Sequence, residues 1–308
     1  MKIGVIGLGN LGEPLAYKLL KAGYDMTVHD LEQARAQDLL DHGAHWANSP
    51  QAVAKQVDTV ITVLPSPAAV ATVVEGETGI LSTIRPGSTW MDVSTTDWRE
   101  SKRLAARFAE KGVGMLETPM TGGITLFHQN IMTILVGAEK EVFEKHQSLL
   151  QTLSQNIIHL GPVGSANVTK VLTNMMAAIH LWALGEGLAL GASAGLEIGP
   201  LFEAIKMSCA NSFVAETEGV EILNGTYDFG FTFGLQAKDA HLAYELGREL
   251  GVPLEMASLV EQLMARAIRK YGPDEWSTGL VRLLEDDIGI EFRAPGYETT
   301  GSKREQEA

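Results

Sequence analysis

Gly7, Gly9 and Gly12 stand in a GxGxxG spacing within KIGVIGLGNLGEPLAYKLL, and each glycine has a separate steric task. Gly7 permits a tight bend, Gly9 lets a pyrophosphate approach the backbone, and Gly12 lets helix and strand pack closely. The phosphates then face the N–H donors of a helix N-terminus. A second apolar strand, Met26 to Val28, closes on Asp30, whose carboxylate is placed to accept hydrogen bonds from an adenosine ribose. Leu31 and Glu32 follow, so no adjacent arginine neutralises a 2′-phosphate, and NAD is the expected cofactor with NADP less favoured. Far along the chain, GPVGSANVTKVLTN carries Gly164, Lys170 and Asn174. The lysine and asparagine are four apart and share one face of a helix. A dinucleotide loop and this pair together point to a redox enzyme.

The elements that must hold these residues are legible in the apolar pattern. Ile3 to Ile6 reads as a buried strand, and Leu15, Leu19 and Leu20 begin a helical stripe behind the glycines. Strand patterns recur at Thr59 to Leu64, Thr89 to Val93, Val113 to Glu117, Met132 to Val136 and Ile157 to Leu160, with helical patterns between them. This predicts a doubly wound α/β domain of the Rossmann type over residues 1–162. Beyond Gly164 only helical periodicity remains, so residues 163–293 are expected to form an all-α domain. Its first helix, from about Ser165 to Ala194, is far longer than usual and is expected to be a long interdomain helix. Gly185, Gly187 and Gly191 on it suggest close helix approach, plausible at a subunit interface. The remaining residues, 294–308, read as a disordered polar tail.

Composition narrows the function classes. The 308 residues include 24 Lys and Arg against 38 Asp and Glu, a formal net charge of −14. That balance argues against a general surface for nucleic acid or anionic membrane, so any anionic substrate must be met locally. The apolar stretch behind Lys2 is short, broken by glycine and followed by Glu13 and Lys18, which favours a cytoplasmic enzyme over a leader sequence. Val171 to Leu196 contains Asn174, His180 and Glu186 and fits a buried helix better than a membrane span. The single cysteine, Cys209, reads as a small buried residue. His42 and His45, three apart, read as surface residues, and no metal site is expected.

Five segments in order resemble the β-hydroxyacid dehydrogenase family, which includes 3-hydroxyisobutyrate dehydrogenase, tartronate semialdehyde reductase and glyoxylate/succinic semialdehyde reductases. GLGNLG, with Asn10 and Leu11 inside it, resembles the family's cofactor loop; DVSTTDW, with Asp92, Ser94 and Thr95, its DxST segment. ETPMTGG resembles the family's substrate-binding DAPVSGG, GPVGSANVTKVLTN its catalytic GxGxxxKxxxN, and LQAKDAHLA its late Lys-Asp motif. The resemblance covers the chain to about residue 285. It implies a dehydrogenase or reductase of a small 3-hydroxy acid or its semialdehyde, acting as a homodimer or homotetramer.

It also implies roles. Lys170 would be the general acid or base, with Asn174 on the same oxygen or on the substrate. Thr121, Gly122 and Gly123 would hold a small substrate's carboxylate, and Phe231 would border the pocket. Leu64, Pro65 and Thr95 would line the nicotinamide side. Lys238 would belong to the cofactor site and is a candidate cation for lowering the Lys170 pKa. Two alternatives stay open: an imine reductase of the same architecture, and a catalytically silent NAD-binding protein. The chain departs from the family after TGG, where Leu126, Phe127 and Asn130 replace small residues and a glycine. There they are expected to bear on substrate selectivity.

Overall fold

The computed structural model describes residues 1–298, which cluster into two compact units that meet at Lys170 and Val171. The first unit contains strands β1 (Lys2–Ile6), β2 (Asp25–His29), β3 (His45–Trp46), β4 (Thr59–Thr62), β5 (Thr89–Asp92), β6 (Gly114–Glu117), β7 (Met120–Thr121), β8 (Thr133–Gly137) and β9 (Ile157–Gly161). They form one sheet in the order β3-β2-β1-β4-β5-β6-β8-β7, with β9 paired to β8. Pairing is parallel from β3 through β6; β8 then runs antiparallel to β6 and β7 and parallel to β9. The doubly wound expectation holds. The antiparallel edge and the two-residue strands β3 and β7 go beyond it, because so few residues carry no apolar alternation.

Side chains alternate across the sheet and separate two apolar layers. Ile3, Val5 and Ile61 pack with Leu15 and Leu19 on one face, while Ile6, Val60 and Trp90 pack with Val53, Val70 and Leu104 on the other. The order reverses at β1, whose neighbours β2 and β4 lead away in opposite directions. In open parallel sheets that reversal leaves a crevice at the strand C-termini. The residues that could be mistaken for a leader are the buried central strand β1.

The second unit is all helix. A continuous helix, Ser165–Ser193, spans the boundary, and Ile198–Lys206, Phe213–Asn224, Phe233–Leu250, Glu255–Tyr271 and Arg282–Ile288 follow. The long helix is apolar and long enough to cross a membrane. Its Ala178, Leu181, Trp182, Leu184 and Leu188, however, are buried in the second unit's own core with Phe202, Phe233 and Met264. Gly185 meets Val281 and Leu284, and Gly191 meets Leu201. These glycines therefore serve close packing inside the unit.

Cys209 is exposed, against the expectation of burial, because it lies in the turn after Ile198–Lys206. The expected tail also begins too early. Ala294 donates its N–H to the Leu223 carbonyl, and Tyr297 packs edge-on against Phe202 with its hydroxyl donating to Glu203 at 2.7 Å. An aromatic ring with a core partner keeps the chain on the surface of the unit that far. The rest of the expected tail, residues 299–308, lies outside the described residues.

Candidate active site

The glycine loop leaves β1 at the point where the strand order reverses. Gly7 has φ +95°, and a Cβ there would strike the Val63 carbonyl; a Cβ on Gly12 would strike the Gly7 carbonyl. Gly9 differs, since nothing lies within 4 Å of where its Cβ would be. Two glycines thus close the turn and the third faces open space, as the approach of a pyrophosphate requires. The helix Gly12–Lys21 starts after Leu11 with no side-chain cap, and a helix N-terminus favours an anion. Asn10 is exposed beside it.

Asp30, at the end of β2, accepts the Leu8 N–H at 2.6 Å and the Glu32 N–H at 2.9 Å. Its carboxylate therefore ties the end of β2 to the glycine loop. These residues fit a dinucleotide, and when bound it supplies the hydride acceptor or donor. Arg35 was not foreseen here: its Nε stands 4.0 Å from Asp30 Oδ1 and pairs with Glu32. It reaches this corner because Gln33–Ala36 turns as a short 3₁₀ helix, which a search for an adjacent arginine misses.

Two neighbouring loops continue the same edge of the sheet. After β4, the Leu64 N–H donates to Ser94 Oγ at 2.9 Å. Pro65 is exposed and precedes Ser66, which caps the helix Pro67–Glu75. Thr95 follows Ser94 after β5, so Leu64, Pro65 and Thr95 are brought to adjacent strand ends beside the glycine loop. Under them, Asp92 Oδ1 accepts from Thr62 Oγ1 at 2.8 Å and from the Ser94 N–H at 3.1 Å. Burial pushes this carboxyl up to about 6, and the neighbouring Glu117 adds to the shift. Asp92 pairs with Glu117 in the β5–β6 register.

Thr121 ends β7, and Gly122 and Gly123 follow with φ of +125° and +86°. Side chains other than glycine rarely adopt that backbone, so the TGG turn is conformationally required. The helix Ile124–His128 then begins directly. Phe127 is 2% exposed and belongs to the core with Leu15 and Leu19; Leu126 packs against the same core and over Gly122. Phe127 therefore does not read as a selectivity residue, against expectation: its bulk fills the core. Asn130 adopts a left-handed backbone, at φ +64°, which asparagine tolerates better than most residues. Its Oδ1 accepts from Lys18 Nζ at 2.6 Å, and that ammonium also sits 4.8 Å from the Phe127 ring centroid.

In the second unit, Asn174 donates its amide to Asp239 Oδ2 at 2.5 Å, and Lys238 Nζ donates to Asp239 Oδ1 at 2.5 Å. One carboxylate thus joins two of the expected site residues. Gln236 adds a hydrogen bond to the Asn174 carbonyl at 3.2 Å. Phe231 lies just ahead of Thr232, the cap of the helix Phe233–Leu250 that carries Lys238 and Asp239. Lys170 stands one turn before Asn174 on the continuous helix Ser165–Ser193. Among the described residues, no group of three or more His, Cys, Asp or Glu is placed to hold a metal ion.

Residues 2–161 match the NAD-binding domain family of 6-phosphogluconate dehydrogenase, and residues 164–284 match the NAD-binding family of NADP-dependent 3-hydroxyisobutyrate dehydrogenase. The chain belongs to the β-hydroxyacid dehydrogenase family. It is 34% identical to a 2-(hydroxymethyl)glutarate dehydrogenase of Eubacterium barkeri, covering 94% of this chain and 97% of that one. It is 32% identical to an NAD-dependent L-serine dehydrogenase of Pseudomonas aeruginosa, over 92% and 98%. A crystal structure of 3-hydroxyisobutyrate dehydrogenase from Salmonella typhimurium shares the fold at TM-score 0.82 and 24% identity, covering 92% of this chain and 99% of that one. An imine reductase from Myxococcus stipitatus is more distant, at TM-score 0.64 and 18% identity, over 92% and 100%. This family member is an NAD(P)-dependent oxidoreductase of the type that acts on CH–OH groups, with the Rossmann-type and all-α parts that its sequence predicts.

Proposed function

We propose that the chain interconverts a small 3-hydroxy acid and its semialdehyde, with Lys170 as general acid and base. In the oxidative direction a bound nicotinamide would supply the hydride acceptor, and the Lys170 amine would take the hydroxyl proton as the carbonyl forms, so that charge balances. Asn174 hydrogen-bonds the same oxygen. The Thr121 hydroxyl and the N–H groups of Gly122 and Gly123 hold the substrate carboxylate, while Phe231 borders it. Gly7, Gly9, Asn10, Leu11, Gly12 and Asp30 hold the adenosine and pyrophosphate; Leu64, Pro65, Thr95 and Lys238 complete the cofactor site.

The observation that carries this reading is the placement of Asn174: one turn from Lys170, with its amide fixed by the Asp239 carboxylate. A silent binding protein has no need of a buried carboxylate that fixes an amide beside a lysine at such a spacing. The same reading includes a cytoplasmic setting and self-association. Leu190, Met207 and Phe213, at 75%, 87% and 56% exposure, give the second unit apolar surface for a dimer or tetramer.

The test follows NADH absorbance with 3-hydroxyisobutyrate, glycerate, 4-hydroxybutyrate, serine and 2-(hydroxymethyl)glutarate, and with the matching semialdehydes in reverse. One acid is expected to be turned over with NAD, and Lys170→Ala to lower kcat by about a thousandfold or more with NADH affinity retained. Near-normal turnover by that variant sinks the assignment of Lys170. Reduction of cyclic imines alone, or NADH binding without any turnover, overturns the reaction class.

A further inference from the structure

Glu117 ends β6 where the family's substrate motif has the shorter Asp, and its carboxylate is wholly buried. Oε2 accepts the Gly164 N–H at 2.6 Å and Oε1 accepts Asn167 Nδ2 at 2.9 Å. The Ala166 N–H and the Ser101 hydroxyl also donate to it. A Cβ on Gly137, its register partner on β8, would collide with this carboxylate, so the strand beside it is cut away to admit the group. Asn167, 1% exposed, uses its other end to accept the Thr96 N–H at 3.0 Å, and its Nδ2 also reaches Ser101 Oγ at 3.1 Å.

One carboxylate and one amide thus fasten the first turn of the helix Ser165–Ser193 to β6 and to the loop after Thr95. Lys170 stands three residues beyond Asn167, on the next turn. Burying a carboxylate costs more than filling the space with an apolar side chain, so holding the helix start merely in place is poorly served by this arrangement. Holding it in one rotation and at one height is well served, because every bond here is directional.

We propose that Glu117 and Asn167 form a length-matched clamp that sets the pose of Lys170, both acting as positioning residues. This rests on the reading of Lys170 as the proton-transfer group. The match is one of reach: Glu117→Asp withdraws the carboxylate by about 1.5 Å, and Asn167→Gln extends the amide by a similar step. Each single variant breaks the fit, and the two together move one methylene from one partner to the other.

The experiment is the cycle of wild type, E117D, N167Q and E117D/N167Q in the full-length enzyme. It measures kcat, KM, NADH affinity and amide hydrogen exchange over residues 164–170. Each single variant is expected to lose about tenfold or more in kcat, with KM and NADH affinity changed by less than about threefold and faster exchange in that segment. The double variant is expected to restore the amide–carboxylate bond but not the Gly164 and Ala166 bonds, so its kcat and exchange protection exceed the product of the two single losses by about threefold or more. Independent losses that multiply in the double variant overturn the clamp, as do folded single variants with wild-type kcat. If E117D fails to fold, N167Q and the double variant still decide: a folded, active double supports the clamp and an unfolded or inactive one overturns it. Should Lys170→Ala retain activity, the functional reading fails while the exchange data still judge the clamp.

Discussion

Asn174 and Lys238 donate to opposite oxygens of Asp239 at 2.5 Å each. The carboxylate is 1% exposed, so both bonds form away from bulk water, where charge-assisted hydrogen bonds are strongest and most directional. Asp239→Ala should therefore release the Asn174 amide and leave the Lys238 ammonium without this counter-charge. We expect kcat to fall by about tenfold to a hundredfold, with Asp239→Asn milder because its oxygen still accepts from one donor. Steady-state kinetics on the acid identified by the panel, with NADH titration alongside, checks this; an unchanged kcat removes Asp239 from the site.

Asp30 accepts the Leu8 N–H, and in the proposed site the same carboxylate receives the adenosine ribose. Asp30→Ala removes the group that would repel a 2′-phosphate and leaves Arg35 near the vacated corner. The NADP-to-NAD ratio of kcat/KM should rise, while NAD affinity falls by about tenfold to a hundredfold for the lost charged hydrogen bonds. A parallel drop for both cofactors, with no change in the ratio, would show that Asp30 only braces the loop.

The glycines of the loop should separate by experiment. Gly9→Ala meets no protein atom within 4 Å, so the fold should stand while NAD binds about tenfold or more weakly. Gly7→Ala places a side chain at φ +95° against the Val63 carbonyl and should cost about 1–3 kcal/mol of stability through backbone strain alone. Thermal melting and NADH titration on both variants distinguish the two outcomes; equal destabilisation by both would contradict the open cradle at Gly9.

Glu218 is 8% exposed, accepts the Thr278 hydroxyl at 2.8 Å, and is pushed up to about 7 by burial. The folded state therefore holds a proton, between about pH 4.5 and 7, that the unfolded chain has released. Its contribution to stability is full below the unfolded value and is lost as pH rises through the folded one. Glu218→Gln does not titrate and still accepts the hydroxyl. It should be more stable than wild type by a margin that grows from pH 5 to pH 8, up to about 3 kcal/mol. Denaturant melts at the two pH values measure the margin, and a margin independent of pH refutes the shift.

Phe127 offers a test of stability against selectivity. Its burial at 2% exposure predicts that Phe127→Ala costs about 3–5 kcal/mol without reordering the enzyme's preference among hydroxy acids. A changed preference in a folded variant would return Phe127 to the substrate pocket.

Local chemistry made much of this protein legible in its sequence. The bend at Gly7, the closing Asp30, the alternation of strand and helix, and the run from Ser165 to Ser193 are set by backbone sterics and by which face of each element is apolar. Those rules act over a few residues, so a chain read in short windows reveals them. The tertiary structure alone decided the rest. Phe127 became core once Lys18 and Leu15 packed over it, and Gly185 and Gly191 turned toward helices of their own unit. Glu117 met Gly164 across 47 residues, and Asn174 met Asp239 across 65. Such pairs leave no periodic trace. Which donor answers which buried carboxylate depends on how whole elements pack, and that is fixed only when the full chain has buried its apolar faces.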